Sequence, residues 1–174
     1  MSMSLIRPLR GYTPEVSKDA FVAENAVIIG QFKCGKGCSF WYGSVIRADV
    51  NAITLGDFVN VQDNATIHCT YEKFPTVIGN NVSIGHNAVV HGCTVEDNVL
   101  IGMGAIVMDN CTVEQGCIIA AGSVVTQGTR VPAGTLWAGV PAKQIGPVPE
   151  RLRSGEIERI ANNYQKYSSW YTEE

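Results

Sequence analysis

An aliphatic residue returns every six positions along most of this chain, and that period fixes what kind of structure its 174 residues can adopt. From Val95 the series runs Val95, Ile101, Val107, Val113, Ile119, Val125 and Val131, and closes on Trp137. Four positions after each comes a residue that is usually small: Val99, Ala105, Cys111, Cys117, Ser123, Thr129 and Thr135. Upstream the same pattern fits Val22, Ile28, Cys34, Phe40 and Ile46, then Leu55, Val61 and Ile67, then Ile78, Ile84 and Val90. Three steps are irregular: nine residues from Ile46 to Leu55, eleven from Ile67 to Ile78, and five from Val90 to Val95.

Six residues are too few for a helix pair. A short extended stretch plus a corner makes one side of a triangular coil, so three units complete a turn of about eighteen residues. The expected fold is therefore an all-β solenoid, a parallel β-helix of hexapeptide repeats. Glycines directly after several aliphatics (Gly56, Gly79, Gly85, Gly102) suit tight corners. Cys38, Cys111 and Cys117 fall in the small-residue slot and read as packing, since a free thiol behaves as a small hydrophobe.

The repeat domain is expected over residues 1–148. Residues 149–174 form one domain with it, as a C-terminal α-helix packed on the β-helix or on a neighbouring subunit. Pro141 to Pro149 reads as a connector, and Leu152, Ile157, Ile160, Ala161, Tyr164, Tyr167 and Tyr171 recur at mostly helical spacing. A composition of 45% hydrophobic and 17% charged residues is globular. The net charge of −3 offers no general attraction to nucleic acid or to an anionic membrane, so neither is expected as a partner. With no run of eighteen apolar residues and no export signal, a cytoplasmic location with six reduced cysteines is expected.

All three histidines, His68, His86 and His91, lie within 24 residues of otherwise aliphatic repeat. Removing the five surplus residues of the long step leaves His68 and His91 one coil apart, each directly after its repeat aliphatic. They should stack on one face at the strand spacing of about 4.8 Å and point the same way. His86 belongs to the unit of Ile84, one face earlier, and stands two positions after its aliphatic, so it points elsewhere. A metal bound by all three must take His68 and His91 from one subunit and His86 from another. Faces 120° apart meet in this way around a threefold axis, which predicts a homotrimer. By the same counting Arg47 lies under His68, and Gln62 takes the corresponding slot on the face that carries His86.

Three neutral imidazoles suit Zn²⁺, while Fe²⁺ and Co²⁺ accept the same ligands. One coordination position stays open. With no anionic ligand to offset the dication, water there can lose its proton near neutral pH and attack a small electrophile such as carbon dioxide.

The segments "VIRADVNAITLGDFVNVQDNATIH" (45–68) and "IGHNAVVHGCTVEDNVLIGMGAIV" (84–107) resemble the signature segments of the gamma-class carbonic anhydrase family, and the resemblance extends over nearly the whole chain. It implies a left-handed coil, a hand that the repeat alone does not fix. It implies metal ligation by His68, His86 and His91 across a subunit interface, and reversible hydration of carbon dioxide to bicarbonate. It further assigns Arg47 and Asp49 to an ion pair at the interface, with Asp63 joining Arg47. Gln62 and Asn60 would hydrogen-bond the metal-bound hydroxide or the substrate, and Tyr164, with Tyr167 as the alternative, would stand beside the metal.

One departure bears on rate. The archetypal enzymes carry an acidic loop with a glutamate proton shuttle, whereas the loop from Cys69 to Val77 holds only Glu72, and Val50 stands where those enzymes place another acid. Modest or buffer-dependent turnover is expected. Cys69 and Cys93, close to the ligands, are candidates for oxidative control. Two other functions fit the repeat. One is a CoA-dependent hexapeptide acyltransferase, because "WAGVPAKQIG" (137–146) resembles the terminal coil of such enzymes. The other is a non-catalytic metal scaffold.

Overall fold

The computed structural model describes residues 4–171, and the chain forms a parallel β-solenoid of about seven turns. Its register follows the six-residue period directly, because the repeat aliphatics of successive coils pair with one another. One stack runs Ile28, Ile46, Ile67, Val90, Val107, Val125. A second runs Cys34, Leu55, Ile78, Val95, Val113, Val131. The third runs Val22, Phe40, Val61, Ile84, Ile101, Ile119, Trp137. Each stack lines one side of the coil, and every member except the terminal Val22 and Trp137 is buried. Isoleucine and valine dominate because β-branched side chains fit a pleated, half-buried surface. Burying each contributes roughly 1.5–3 kcal/mol.

The three irregular steps are absorbed in three ways. A single strand, Val45–Leu55, spans the nine-residue step and pairs on two sides, Ile46 with Ile67 and Leu55 with Ile78. The eleven-residue step is a loop between strands Thr66–His68 and Thr76–Ile78, pinched by a bridge from Thr70 to Phe74. The five-residue step closes because Gly92 adopts φ +53°, a conformation that costs glycine little.

The C-terminal region departs from expectation. Pro141 to Pro149 is not a plain connector: Thr135–Gly139 and Ala142–Pro147 form an antiparallel hairpin that extends the last coil. The reason lies in the solenoid's end. Its final strand presents an edge of backbone groups, which a returning strand pairs. A helix then runs through Glu150–Leu152, a wider π turn at Arg153–Glu158, and Arg159–Trp170. The π turn answers an irregularity in the sequence, since Leu152 and Ile157 stand five apart and reach one face only if the helix widens there. Ile157, Leu152 and Ile160 pack with Val148 on the outward residues Leu100 and Ile118, so the helix covers the flank of its own solenoid. The last three residues of the expected helix, 172–174, lie outside the described residues. Among the described residues no helix is long and apolar enough to cross a membrane.

Candidate metal centre

His68 and His91 are register partners on adjacent parallel strands, and their rings face outward from one side of the prism. Nδ1 of His68 lies 2.9 Å from Nε2 of His91. The remote nitrogen of each ring is tied to a carboxylate: His68 Nε2 to Asp49 Oδ1 at 2.9 Å, and His91 Nδ1 to Asp109 Oδ1 at 2.7 Å. Arg47 in turn pairs with Asp49, completing the ion pair expected of these two residues.

These partners determine what can lie between the rings. A neutral imidazole carries one N–H, and a carboxylate claims it in both rings. The two nitrogens that face one another are then both lone pairs, so a cation is required between them, a proton or a metal ion. Burial, with help from the Arg47 and His91 charges, outweighs the Asp49 contacts and pushes the His68 imidazole below its ordinary value of 6.5, which disfavours the proton. Two nitrogens at about 2.0 Å from one tetrahedral ion stand roughly 3.3 Å apart, so a metal needs the pair to spread only slightly. The donor set fits a metal. Burial raises the Asp49 carboxyl, but hydrogen bonds from His68 and Arg47 outweigh that and hold it below 3.8, so it stays ionised as an acceptor.

His86 stands apart, on the corner that follows Ser83–Ile84. Its Nδ1 pairs with Asp63 Oδ2 at 2.8 Å, and the hydroxyl of Tyr164 lies 3.3 Å from its Nε2. Burial, followed by the Asp63 and Tyr167 neighbours, pushes the Tyr164 phenol up to about 12, which keeps it a neutral donor. Its contacts are disjoint from those of the other two histidines, and among the described residues no three His, Cys, Asp or Glu side chains of one chain converge on a common point. Asp63 therefore serves His86 within the chain rather than joining Arg47 there. Tyr167 packs its ring on Tyr164 and Trp170, one step further from His86.

Asn60 and Gln62 form a neutral relay behind His86. Gln62 Nε2 donates to Asn60 Oδ1 at 3.0 Å, and Asn60 Nδ2 donates to Ser83 Oγ at 2.8 Å. All three residues face outward from their strand and are nevertheless buried. With its NH₂ committed inward, Gln62 keeps its carbonyl oxygen for a ligand. A cavity of about 350 Å³ opens beside it, lined by Gln62, His86, Tyr164, Met103, Ile118 and Ile160 among others. Its floor is low because Gly85, Gly102 and Ala120 follow the aliphatics of three successive coils.

Sequence reasoning missed Asp109. The signal was present: Val107 pairs with Val90, so Met108 comes opposite His91 and Asp109 is the next residue. Cys69 and Cys93, the candidates for oxidative control, lack the setting of a reactive thiol. Both are buried, and burial pushes the Cys69 thiol up to about 11 and that of Cys93 higher still, whereas reactive cysteines need an accessible thiolate. Glu72 lines a smaller cavity, about 190 Å³, together with Asp49 and Val50.

Solenoid, repeat and terminal helix define a member of the hexapeptide-repeat β-solenoid proteins, and the family profile described as "Bacterial transferase hexapeptide (six repeats)" matches residues 75–105 and 92–127. Within that class the chain belongs to the gamma-class carbonic anhydrase family. It is 50% identical over 152 residues to the Methanocaldococcus jannaschii protein named "Probable carbonic anhydrase", covering 87% of this chain and 92% of that one. It is 46% identical over 160 residues to "Gamma carbonic anhydrase 2, mitochondrial" of Arabidopsis thaliana, covering 89% of this chain; it spans only 56% of that longer protein. A Bacillus cereus crystal structure that bears an acetyltransferase name superimposes with a TM-score of 0.94 at 36% identity, covering 98% of both chains.

Proposed function

We propose that this chain hydrates carbon dioxide reversibly to bicarbonate at a metal ion held between copies of itself in a homotrimer. His68 and His91 of one copy and His86 of its neighbour are the ligands. Zn²⁺ suits them best, with Fe²⁺ and Co²⁺ as alternatives. The observation that carries this reading is the shared design of the three histidines: each has one ring nitrogen held by a carboxylate, which turns the other toward a cation, and on His86 that other nitrogen meets, among the described residues, only the neutral Tyr164 hydroxyl.

When bound, the metal is a Lewis acid that makes water nucleophilic near neutral pH. The chain's own groups do the rest. Gln62, fixed by Asn60, offers an acceptor that orients a water proton, and the apolar wall of the cavity suits a linear substrate without a net dipole. The Tyr164 hydroxyl, beside His86 Nε2, is a donor within reach of a product oxygen, and the Arg47 guanidinium supplies positive charge for the bicarbonate anion. Hydration also releases a proton. Glu72 is the loop's one carboxylate, so buffer carries much of that proton away.

Exposed Ile106 and Met108 next to His91 give the outer face an apolar surface on which a second copy can close. Six buried cysteines without a disulfide suit a reducing, cytoplasmic setting. The test is stopped-flow hydration with protein purified without oxygen and reloaded in turn with Zn²⁺, Co²⁺ and Fe²⁺, metal content being measured alongside. The expected result is about one metal per chain, with hydration that requires the metal and rises with imidazole buffer concentration. Full loading without hydration would refute the catalytic reading.

A further inference from the structure

Asp109 differs from the other two carboxylates in where it comes from and how firmly it is held. Asp49 and Asp63 belong to coils that precede their histidines, whereas Asp109 reaches back from the following coil, at the corner after strand Ile106–Val107. Both of its oxygens are engaged: Oδ1 with His91 Nδ1 at 2.7 Å, and Oδ2 as acceptor from Thr70 Oγ1 at 2.9 Å. Its backbone carbonyl accepts from Gly128 at 2.9 Å, and the next amide, Asn110, donates to Gly92 O at 2.8 Å. The approach depends on Gly92. A Cβ there would lie 2.0 Å from Asp109 Oδ1, and its φ of +53° is already in the left-handed region. The residue beside His91 is thus a glycine for two reasons, the short step and the room that this carboxylate needs.

A carboxylate fixed at both oxygens dictates the histidine it touches. It accepts from Nδ1–H, so the proton stays on Nδ1 and the lone pair stays on Nε2, the nitrogen that faces His68. Thr70 belongs to the loop of the eleven-residue step, so this contact ties that loop to the orientation of the ring.

We infer that Asp109 is a positioning residue that locks His91 in the Nδ1–H tautomer and aims its Nε2 at the cation, with Thr70 as the brace that keeps the carboxylate in place. The inference rests on the three-histidine reading above, and two measurements separate the failure of one from the failure of the other. The first is ¹⁵N NMR of the imidazoles in metal-free protein. Wild type should show His91 with Nδ1 protonated, and Asp109→Ala should let it drift toward a mixture of tautomers. The second is Zn²⁺ and Co²⁺ affinity by chelator competition. Asp109→Ala should weaken binding about 10–100-fold, Thr70→Val less, and Asp109→Asn, which keeps an oxygen acceptor, should lie nearer to wild type than the alanine variant. Asp57→Ala is the control, because Asp57 accepts from the Lys36 amide at another corner and should change only thermal stability. Wild-type affinity in Asp109→Ala, or weaker affinity with the tautomer unchanged, would overturn the inference. A tautomer that follows Asp109 in a protein that binds no metal would overturn the three-histidine reading and leave the orienting role of Asp109 standing.

Discussion

The two polar patches on this solenoid are built on the same aliphatic core and differ in what covers them. Around His68 and His91 the groups are ionic and half open: Arg47, Asp49 and Asp109 hold the rings, and the Arg47 side chain is 45% exposed. Around His86 a single carboxylate, Asp63, holds the ring at the surface, and the groups behind that pair are neutral and roofed: Asn60 and Ser83 are almost wholly buried, and Tyr164 arrives from the terminal helix. Both patches use residues that point outward from the repeat, so the repeat did not choose between them. Covering by the helix did, because a buried charge is costly unless paired, whereas a buried amide needs only hydrogen bonds. Both patches hold their rings with carboxylates, and the His86 patch adds beneath the helix a satisfied network of neutral groups.

The largest effect should come from separating the patches. His86→Ala and His91→Ala should each abolish stoichiometric metal binding, exceeding the roughly 10–100-fold cost of losing an outer-shell partner. Refolding the two variants together should restore metal to some sites, because one variant supplies an intact His68–His91 pair and the other an intact His86. Metal analysis of the mixture decides the matter: no recovery would mean that the patches do not meet between copies.

Stability without metal should differ between the patches as well. Asn60→Ala leaves Gln62 and Ser83 short of partners in a buried setting and should cost about 1–3 kcal/mol in denaturant unfolding. Arg47→Ala removes one side of a largely exposed pair and should cost at most about 1 kcal/mol. Equal losses would mean that the helix shields the two patches alike.

The smallest effect is the pH response, and its sign differs between the patches. His68 and Asp49 titrate below their ordinary values of 6.5 and 3.8, so the unfolded chain binds more protons and stability falls as pH drops below 6.5, continuing through the carboxylate range. Tyr164 titrates above its ordinary value of 10, at about 12. Its contribution is therefore whole below pH 10 and lost as pH rises toward 12. Each limb should amount to no more than about 1 kcal/mol after solvent screening. Thermal melts of metal-free protein should show Tyr164→Phe removing the alkaline limb and Asp49→Asn reducing the acid one.

Much of this was legible in the chain itself. The alignment of His68 with His91 follows from counting, once the surplus residues of the long step are set aside, and the structure pairs them. Asp109 was equally countable and was missed, because a corner aspartate in a repeat full of polar corners carries no mark until its distance to a histidine is known. Tyr164 was assigned by resemblance, since nothing in a helical stripe of tyrosines says which one reaches a histidine 78 positions away. The hairpin at Thr135–Pro147 was obscured by Pro141 and the glycines around it, which also suit a connector.

What the sequence alone determined is everything periodic: the coil, its three stacks of core residues, its corners, and which outward residues stand above one another. These follow because a side chain one coil away is a fixed count along the chain, and burial of the aliphatic column forbids slippage. Only the tertiary structure decided which outward residues are buried, which tyrosine meets His86, and how the loop carrying Thr70 braces Asp109. Those contacts depend on the packing of a helix with a π turn and on the closure of a loop, whose positions come from the whole surface beneath them and not from any local count.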